Sequence, residues 1–189
     1  MSNTHRTLLT KLQRRQKSHD ENSHQDILAE NMYVRLKHMA LHFFKYASKA
    51  YDAKADSDTN ALKAVLVDSI IICLASSNSL KIYLDDFLET PANNIPDLCE
   101  QLARERHATT DVTNFCFDGI FHCLLSIGAR MAKVMESTDH MELGNPRAEM
   151  SILVPKLTIE LLKYIAPLEI DLESAIEARF EKIESSFIL

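Results

Sequence analysis

Apolar residues recur at steps of three and four through most of this chain, and this spacing constrains its fold more than any other feature. In residues 121–135, FHCLLSIGARMAKVM, the side chains of Leu124, Ile127, Met131 and Val134 fall on one face of a helix. No segment alternates apolar and polar residues for long enough to predict a strand. The 189 residues include only three glycines and five prolines, which argues against a turn-rich β architecture. The sequence therefore predicts an all-α fold.

Turn and capping residues divide this pattern into separate helices. Ser57 or Asp58, and later Asn145 and Asp171, are predicted to cap helices, and Pro155 is predicted to kink one. The polar stretches KSHDENSH, SSNS and TPANNIP are predicted to be a break, a turn and a linker. The predicted helices cover Thr7–Gln16, Gln25–Tyr51, the segment from the cap to Ser76, Leu80–Glu89, Pro96–His107, Asp111–Met135, Pro146–Ile165 and Asp171–Ser186.

Charge and cysteine content limit the classes of function. The formal net charge of −6 disfavours a nucleic-acid-binding surface, although the N-terminal run RTLLTKLQRRQK is basic. We interpret that run as a weakly docked amphipathic helix, with a partner-contacting arm as the alternative. The cysteines show no CxxC spacing, so we expect buried, reduced thiols at Cys73, Cys99, Cys116 and Cys123.

No apolar run predicts a membrane span. The longest candidate, AVLVDSIIICLA, is short and is interrupted by Asp68. The N-terminus has charge but no apolar stretch followed by a small-residue cleavage site, as a secretory signal would have. We therefore expect a cytoplasmic protein without a membrane partner.

The order of the predicted helices is the same twice, which indicates an internal duplication. Aligning His38 with His122 places HMALHFFKYASKA against HCLLSIGARMAKV, so that Lys49 meets Lys133. Farther on, LVDSIIICLA falls on LVPKLTIELL, and IYLDDFLE falls on IDLESAIE. The predicted organisation is a polar and basic N-terminal segment with a short helix (1–24), a first helical repeat (25–93), a linker helix (94–110) and a second repeat (111–189).

At these residues the chain resembles the MazG-like superfamily of all-α nucleoside triphosphate pyrophosphohydrolases. The family pattern is a helix reading His-x-x-Leu-x-x-x-x-Glu-x-x-Glu, a second helix with Glu-x-x-Asp, and a turn similar to Gly-Ile-Asp-Leu-Glu-x-Ala-Ile. The matches are His38, Leu41 and VLVDSIIICLA in the first half, and His122, Leu125 and LEIDLESAIEARFEKI in the second. The resemblance implies a helical bundle of two MazG-like repeats, a pseudo-dimer in one chain, and a family chemistry of Mg²⁺-dependent triphosphate hydrolysis.

The carboxylates that this family chemistry requires are almost all replaced here. In the family, paired Glu and Asp side chains supply the hard oxygen ligands that Mg²⁺ prefers. The equivalent positions are Tyr46, Lys49, Val65 and Asp68 in the first half, and Arg130, Lys133, Ile152 and Pro155 in the second. A lysine only donates hydrogen bonds and cannot coordinate a cation. We therefore expect the family's metal site to be absent and the protein to be a pseudoenzyme.

The cations at these positions suggest a different ligand. Lys49, Arg130 and Lys133, with Tyr46, are candidates for binding a nucleotide or another phosphate-containing anion directly, without metal. The alternative is that these side chains are solvated or paired with acids across the bundle.

Three residues are candidate metal ligands. Asp68 lies among apolar residues, and it is either a surviving ligand or a buried carboxylate satisfied by other groups. His38 and His42 are four residues apart on one helix, a spacing that holds a transition metal from one face. Their alternative role is ordinary packing or surface exposure.

Three functions are open at this point. The first is a non-catalytic nucleotide- or anion-binding or regulatory protein, and another is a structural helical interaction module with a protein partner or as a homo-oligomer. The remaining one is an active nucleoside triphosphate pyrophosphohydrolase, the only case in which Mg²⁺ is expected as a cofactor. That enzyme would recruit other acids, such as Asp68, Asp85, Asp86, Glu136 or Glu142.

Overall fold

The computed structural model describes residues 7–89, 91–104 and 111–186, and these ranges contain helices and connecting segments but no strand. The predicted all-α fold is therefore confirmed. The helices are α1 (Leu8–Ser23), α2 (Gln25–Ala29), α3 (Met32–Ala55), α4 (Thr59–Leu80), a short 3₁₀ helix (Leu84–Phe87), α5 (Ile95–Arg104), α6 (Val112–Asp139), α7 (Pro146–Leu162) and α8 (Leu172–Ser186).

The long helices α3, α4, α6 and α7 form the core of a helical bundle. α3 packs along both α4 and α6, and α7 packs against the same two helices. Buried side chains such as Phe43, Leu66, Phe117 and Leu157 fill the space between them, each worth about 1.5–3 kcal/mol of transfer free energy. All four cysteines are buried in this core and form no disulfide, as predicted. The origin of the bundle from two repeats stays a prediction.

The N-terminal helix is longer and more firmly docked than the sequence predicts. α1 continues through residues 17–23, most of the polar stretch predicted to be a break. Leu9 and Leu12 are buried, and the amide of the buried Gln13 donates to the carbonyl of Ile82 at 2.9 Å. The prediction of a short, weakly docked helix is therefore wrong, because tertiary hydrogen bonds stabilise a segment of low apolar content. α1 lies across α4 and α8.

Three further helix boundaries differ from the predicted ones. The segment predicted as one helix, Gln25–Tyr51, is divided, because the side chain of Asn31 caps a new helix start at α3. The SSNS sequence does not form a turn but continues α4, and the hydroxyls of Ser76 and Ser77 donate to carbonyls one turn earlier. The predicted helix Leu80–Glu89 contains only the four-residue 3₁₀ helix.

The remaining caps follow the sequence. The carboxylate of Asp58 accepts an N–H at the start of α4, and Asn145 does the same for α7. The carboxylate of Asp171 accepts the N–H of Ser174 at the start of α8. The predicted helix end at His107 lies outside the described residues. Helix boundaries governed by local capping are thus predictable from this sequence.

α4 and α6 are long and apolar enough to cross a membrane by length and composition alone, which the sequence analysis did not anticipate. Of their most apolar windows, 56% and 39% respectively are buried inside the bundle. The core helices of a soluble protein pass the same test, so this is weak evidence for a membrane. The cytoplasmic location stays a prediction.

Candidate functional site

A cavity of about 240 Å³ lies where α1, α3, α4 and α8 meet. Its apolar wall comes mainly from α3 and α4, with Met39, Ile71, Ile72 and Ala75. Its polar lining includes four histidines, His19, His24, His38 and His42. We therefore call it the histidine cavity. Apolar walls with a few convergent polar groups are typical of ligand sites.

Asp68 and Arg179 form an ion pair at the edge of this cavity. The Arg179 Nε and Nη2 atoms donate to the two oxygens of Asp68 at 2.6 and 3.1 Å. The Asp68 side chain is only 14% exposed, and this hydrogen bond raises the pKa of Arg179 above its usual value. The one carboxylate that survives from the family pattern is therefore a satisfied partner of a guanidinium. To hold Mg²⁺ it would have to give up this pair.

Two lysines on α3, Lys45 and Lys49, lie near the pair. No described carboxylate lies within 4.0 Å of the ammonium of Lys45 or Lys49. Partial burial and the nearby charge of Lys49 lower the pKa of Lys45. Together with Arg179, these residues place three cations near the carboxylate of Asp68. Other acids line the same surroundings: Asp20 in the histidine cavity, and Asp52, Asp56 and Asp58 in an adjoining cavity that Lys49 lines.

Tyr46 lies beside the same pair, with its side chain buried in the cavity wall. Burial and the charge of Asp68 raise the pKa of its phenol well above the usual range. The Tyr46 hydroxyl therefore stays protonated and can donate a hydrogen bond to an anion.

His38 and His42, the predicted metal pair, hydrogen-bond to each other with their Nε2 atoms 3.0 Å apart. Lys45 Nζ donates to Nδ1 of His42 at 2.9 Å. Because an ammonium can only donate, the proton of a neutral His42 lies on Nε2, which donates to His38. Burial, Lys45 and His38 lower the pKa of His42 to about 4, so the ring is neutral at pH 7. In this arrangement the Nε2 lone pair of His42 is not available to a metal.

A different group of three residues in the described ranges is close enough to share a metal ion: His19, Asp20 and His24. His19 is 1% exposed, with its ring stacked on Phe180 at 4.1 Å between centroids. Its Nδ1 atom lies 2.8 Å from an oxygen of Glu184 on α8. Sequence analysis missed this group because HDENSH was interpreted as a polar break. The signal was present in the spacing His-Asp-x-x-x-His.

The four predicted anion-binding residues are not brought to one place. Tyr46 lines the histidine cavity, and Lys49 lines an adjoining cavity that also reaches Asp68. Arg130 and Lys133 on α6 line a separate cavity of about 250 Å³. There Lys133 is paired with acids, at 2.7 Å from Glu136 and 3.6 Å from Glu142. The first-half residues thus share a site, and the second-half residues do not join it.

The acids proposed for an active enzyme do not converge either. Asp85 is buried and accepts hydrogen bonds from the start of α1, at 2.7 Å from the Thr10 N–H nitrogen. Asp86 is exposed on the 3₁₀ helix, and Glu136 and Glu142 lie around Lys133. The candidate acids therefore occupy three separate parts of the bundle.

Comparisons of the chain with protein-family models, with curated proteins and with solved structures give no match. The resemblance to the MazG-like superfamily stays a prediction that depends on the residues quoted above.

Proposed function

We propose that this protein is a non-catalytic binding protein for a small phosphate-containing anion. The anion would bind at the mouth of the histidine cavity, in contact with Lys45, Lys49 and Arg179. The observation that carries this proposal is the grouping of these three cations beside Asp68, whose carboxylate is already paired with Arg179.

Electrostatics favours an anion at this position. The lowered pKa of Lys45 reflects in part its repulsion by Lys49, which a bound anion would relieve. Arg179 has five N–H donors and uses two for Asp68, so three remain for a ligand oxygen. At 4 Å and an effective dielectric constant of 20, each cation attracts a unit negative charge by about 4 kcal/mol before desolvation is subtracted.

The volume of the cavity limits the size of the ligand. A volume of about 240 Å³ corresponds to roughly eight water molecules at about 30 Å³ each. Phosphate, pyrophosphate or a small phosphorylated compound fits this space. A nucleoside triphosphate would have to leave its base or its ribose outside the cavity.

The proposal of a non-catalytic role follows from the same residues. Hydrolysis by the family chemistry needs several carboxylates around Mg²⁺. Here a phenol and an ammonium stand at two of those positions, Tyr46 and Lys49, and the carboxylate of Asp68 is bonded to Arg179. Bringing Mg²⁺ to Asp68 would place it beside the guanidinium of Arg179.

The test is calorimetric titration of the full chain with inorganic phosphate, pyrophosphate and nucleoside triphosphates. We expect binding that weakens by about tenfold, or 1.4 kcal/mol, in Lys45→Gln and in Lys49→Gln. The matched control is Lys54→Gln, since Lys54 is also an exposed lysine on α3 but pairs with Asp118. Affinity should not change in this control.

Two results would overturn the proposal. One result is that none of these anions binds, or that all three lysine variants bind them as tightly as the wild type does. The cation cluster would then not be a ligand site, and the interaction-module alternative would gain support. If the wild type releases pyrophosphate from a triphosphate with Mg²⁺ and Asp68→Asn abolishes this turnover, the protein is an enzyme.

A further inference from the structure

We propose that His19, Asp20 and His24 bind one divalent transition-metal ion of the Zn²⁺ type beside the histidine cavity. Their candidate ligand atoms, two imidazole nitrogens and one carboxylate oxygen, all lie within 4.8 Å of one another. This donor set suits Zn²⁺, Co²⁺ or Ni²⁺ better than Mg²⁺. The proposal shares no residue with the anion site and does not depend on it.

The strongest support is the environment of His19. Its Nε2 atom is buried and has no hydrogen-bond partner among the described residues, a situation that is rare for buried polar atoms. Its Nδ1 atom is held by Glu184, and this hydrogen bond lowers the pKa of the Glu184 carboxyl group. Because a carboxylate only accepts, Nδ1 carries the proton in the neutral ring, and Nε2 then presents a lone pair. Histidines that bind a metal through one ring nitrogen usually donate the N–H of the other to a carboxylate or a carbonyl, as His19 does here.

Asp20 supplies a partly buried carboxylate next to both histidines. Gln16 donates a hydrogen bond to one of its oxygens at 2.5 Å. A metal ion would stabilise the ionised form of this carboxylate more effectively than a neutral amide does.

His24 completes the set from the junction between α1 and α2. Its ring lies edge-on to that of His19, with centroids 5.4 Å apart. Two ligands of a tetrahedral ion at about 2.1 Å are about 3.4 Å apart, so binding requires the ligands to move inward by roughly 1 Å. His24 is only partly buried and can rotate to do so. A fourth coordination position would face the cavity, as in sites that bind water or a small ligand.

The test is titration of the full chain with Zn²⁺ or Co²⁺ in competition with a chromogenic chelator. We expect one ion per chain, and a loss of affinity of tenfold or more in His24→Gln and in Asp20→Asn. Glu184→Gln should weaken binding by about 10–100-fold, because it removes the group that orients His19. The matched control is His140→Gln, an exposed histidine at the C-terminal end of α6, which should bind like the wild type.

The Co²⁺ absorption spectrum adds a readout that a change in stability does not produce. A tetrahedral spectrum in the wild type, lost in His24→Gln while the circular dichroism spectrum stays helical, supports the site. The proposal would be overturned if the wild type did not bind the metal stoichiometrically, or if His24→Gln and Asp20→Asn bound it as tightly as the wild type. Loss of metal binding only in His38→Gln would also overturn it. Phosphate binding measured on His24→Gln separates this result from the proposed function, because that variant keeps every residue of the anion site.

Discussion

Replacement of Asp85 by alanine should destabilise the protein far more than its position in a four-residue 3₁₀ helix suggests. The Asp85 carboxylate accepts hydrogen bonds from the N–H groups of Leu9 and Thr10 at 3.1 and 2.7 Å, and from the Thr10 hydroxyl at 2.6 Å. Thr7, the N-cap residue of α1, makes no capping bond with its own side chain. Asp85 therefore caps α1 from 75 residues away in the sequence.

The magnitude follows from the groups that lose their partner. In Asp85→Ala two backbone N–H groups at the buried start of α1 would have no acceptor, at about 1–3 kcal/mol each. The negative charge that stabilises the helix N-terminus would also be lost, at about 0.3–1 kcal/mol. Since water can reach part of the site after truncation, we expect a loss of about 3 kcal/mol. Asp85→Asn keeps one acceptor oxygen and should lose about 1 kcal/mol.

Urea unfolding followed by circular dichroism measures this loss, and Asp86→Ala is the matched control. Asp86 lies on the same 3₁₀ helix, is exposed and should change the unfolding free energy by less than about 0.5 kcal/mol. Amide hydrogen exchange should become faster at Leu9 and Thr10 in Asp85→Ala. Equal unfolding free energies in the two alanine variants, or unchanged exchange at these amides, would refute the capping argument.

Three other predictions concern stability and reactivity. The pKa of His42 is lowered from 6.5 to about 4 in the folded protein. Between these two pH values the unfolded chain binds a proton that the folded protein does not, so the free energy of unfolding falls as the pH drops from 6.5 toward 4. Because the ring is partly solvated, we expect about 1 kcal/mol less stability at pH 5 than at pH 7, measured by urea unfolding, and His42→Gln should remove this dependence. Gly119→Ala should destabilise the protein by about 1–3 kcal/mol and lower its melting temperature, because the new Cβ would clash with the hydroxyl oxygen of Tyr164. A variant more stable than the wild type would show that the Tyr164 ring moves aside. Burial raises the pKa of Cys73 and Cys99 to about 12, so neither thiol should react with a thiol reagent at pH 8 until urea unfolds the chain.

The sequence predicted those parts of the fold that depend on neighbouring residues. Helical spacing identified the long helices, and Asp58 and Asp171 cap the helices that the sequence assigned to them. Prediction from the sequence failed where a contact with a residue distant in the chain decides the local structure. The polar stretch after Gln16 stays helical because His19 and its neighbours pack on α8 and α4, and no local pattern reports such contacts.

The candidate site was predictable to the same limited degree. Asp68, Tyr46 and Lys49 were selected because of their positions in the family pattern, and they do lie together. Arg179 was not selected, because its partner Asp68 lies 111 residues earlier in the chain. Its charge could be counted from the sequence, but which carboxylate it neutralises depends on how α8 packs against α4.

The histidine cavity lies beside the helix pair α3 and α4 and not beside the pair α6 and α7. The positions of α1 and α8 explain this difference. These two helices cover the surface of α3 and α4 next to Asp68, where they contribute His19 and Arg179 to the cavity. Arg130 and Lys133, the residues that the predicted duplication places at equivalent positions, lie in a more open depression between α6 and α7. If both predicted repeats bound the anion, the titration would give two sites per chain. Because α1 and α8 pack on the first pair, we expect one site, and Lys133→Gln should leave both the stoichiometry and the affinity unchanged.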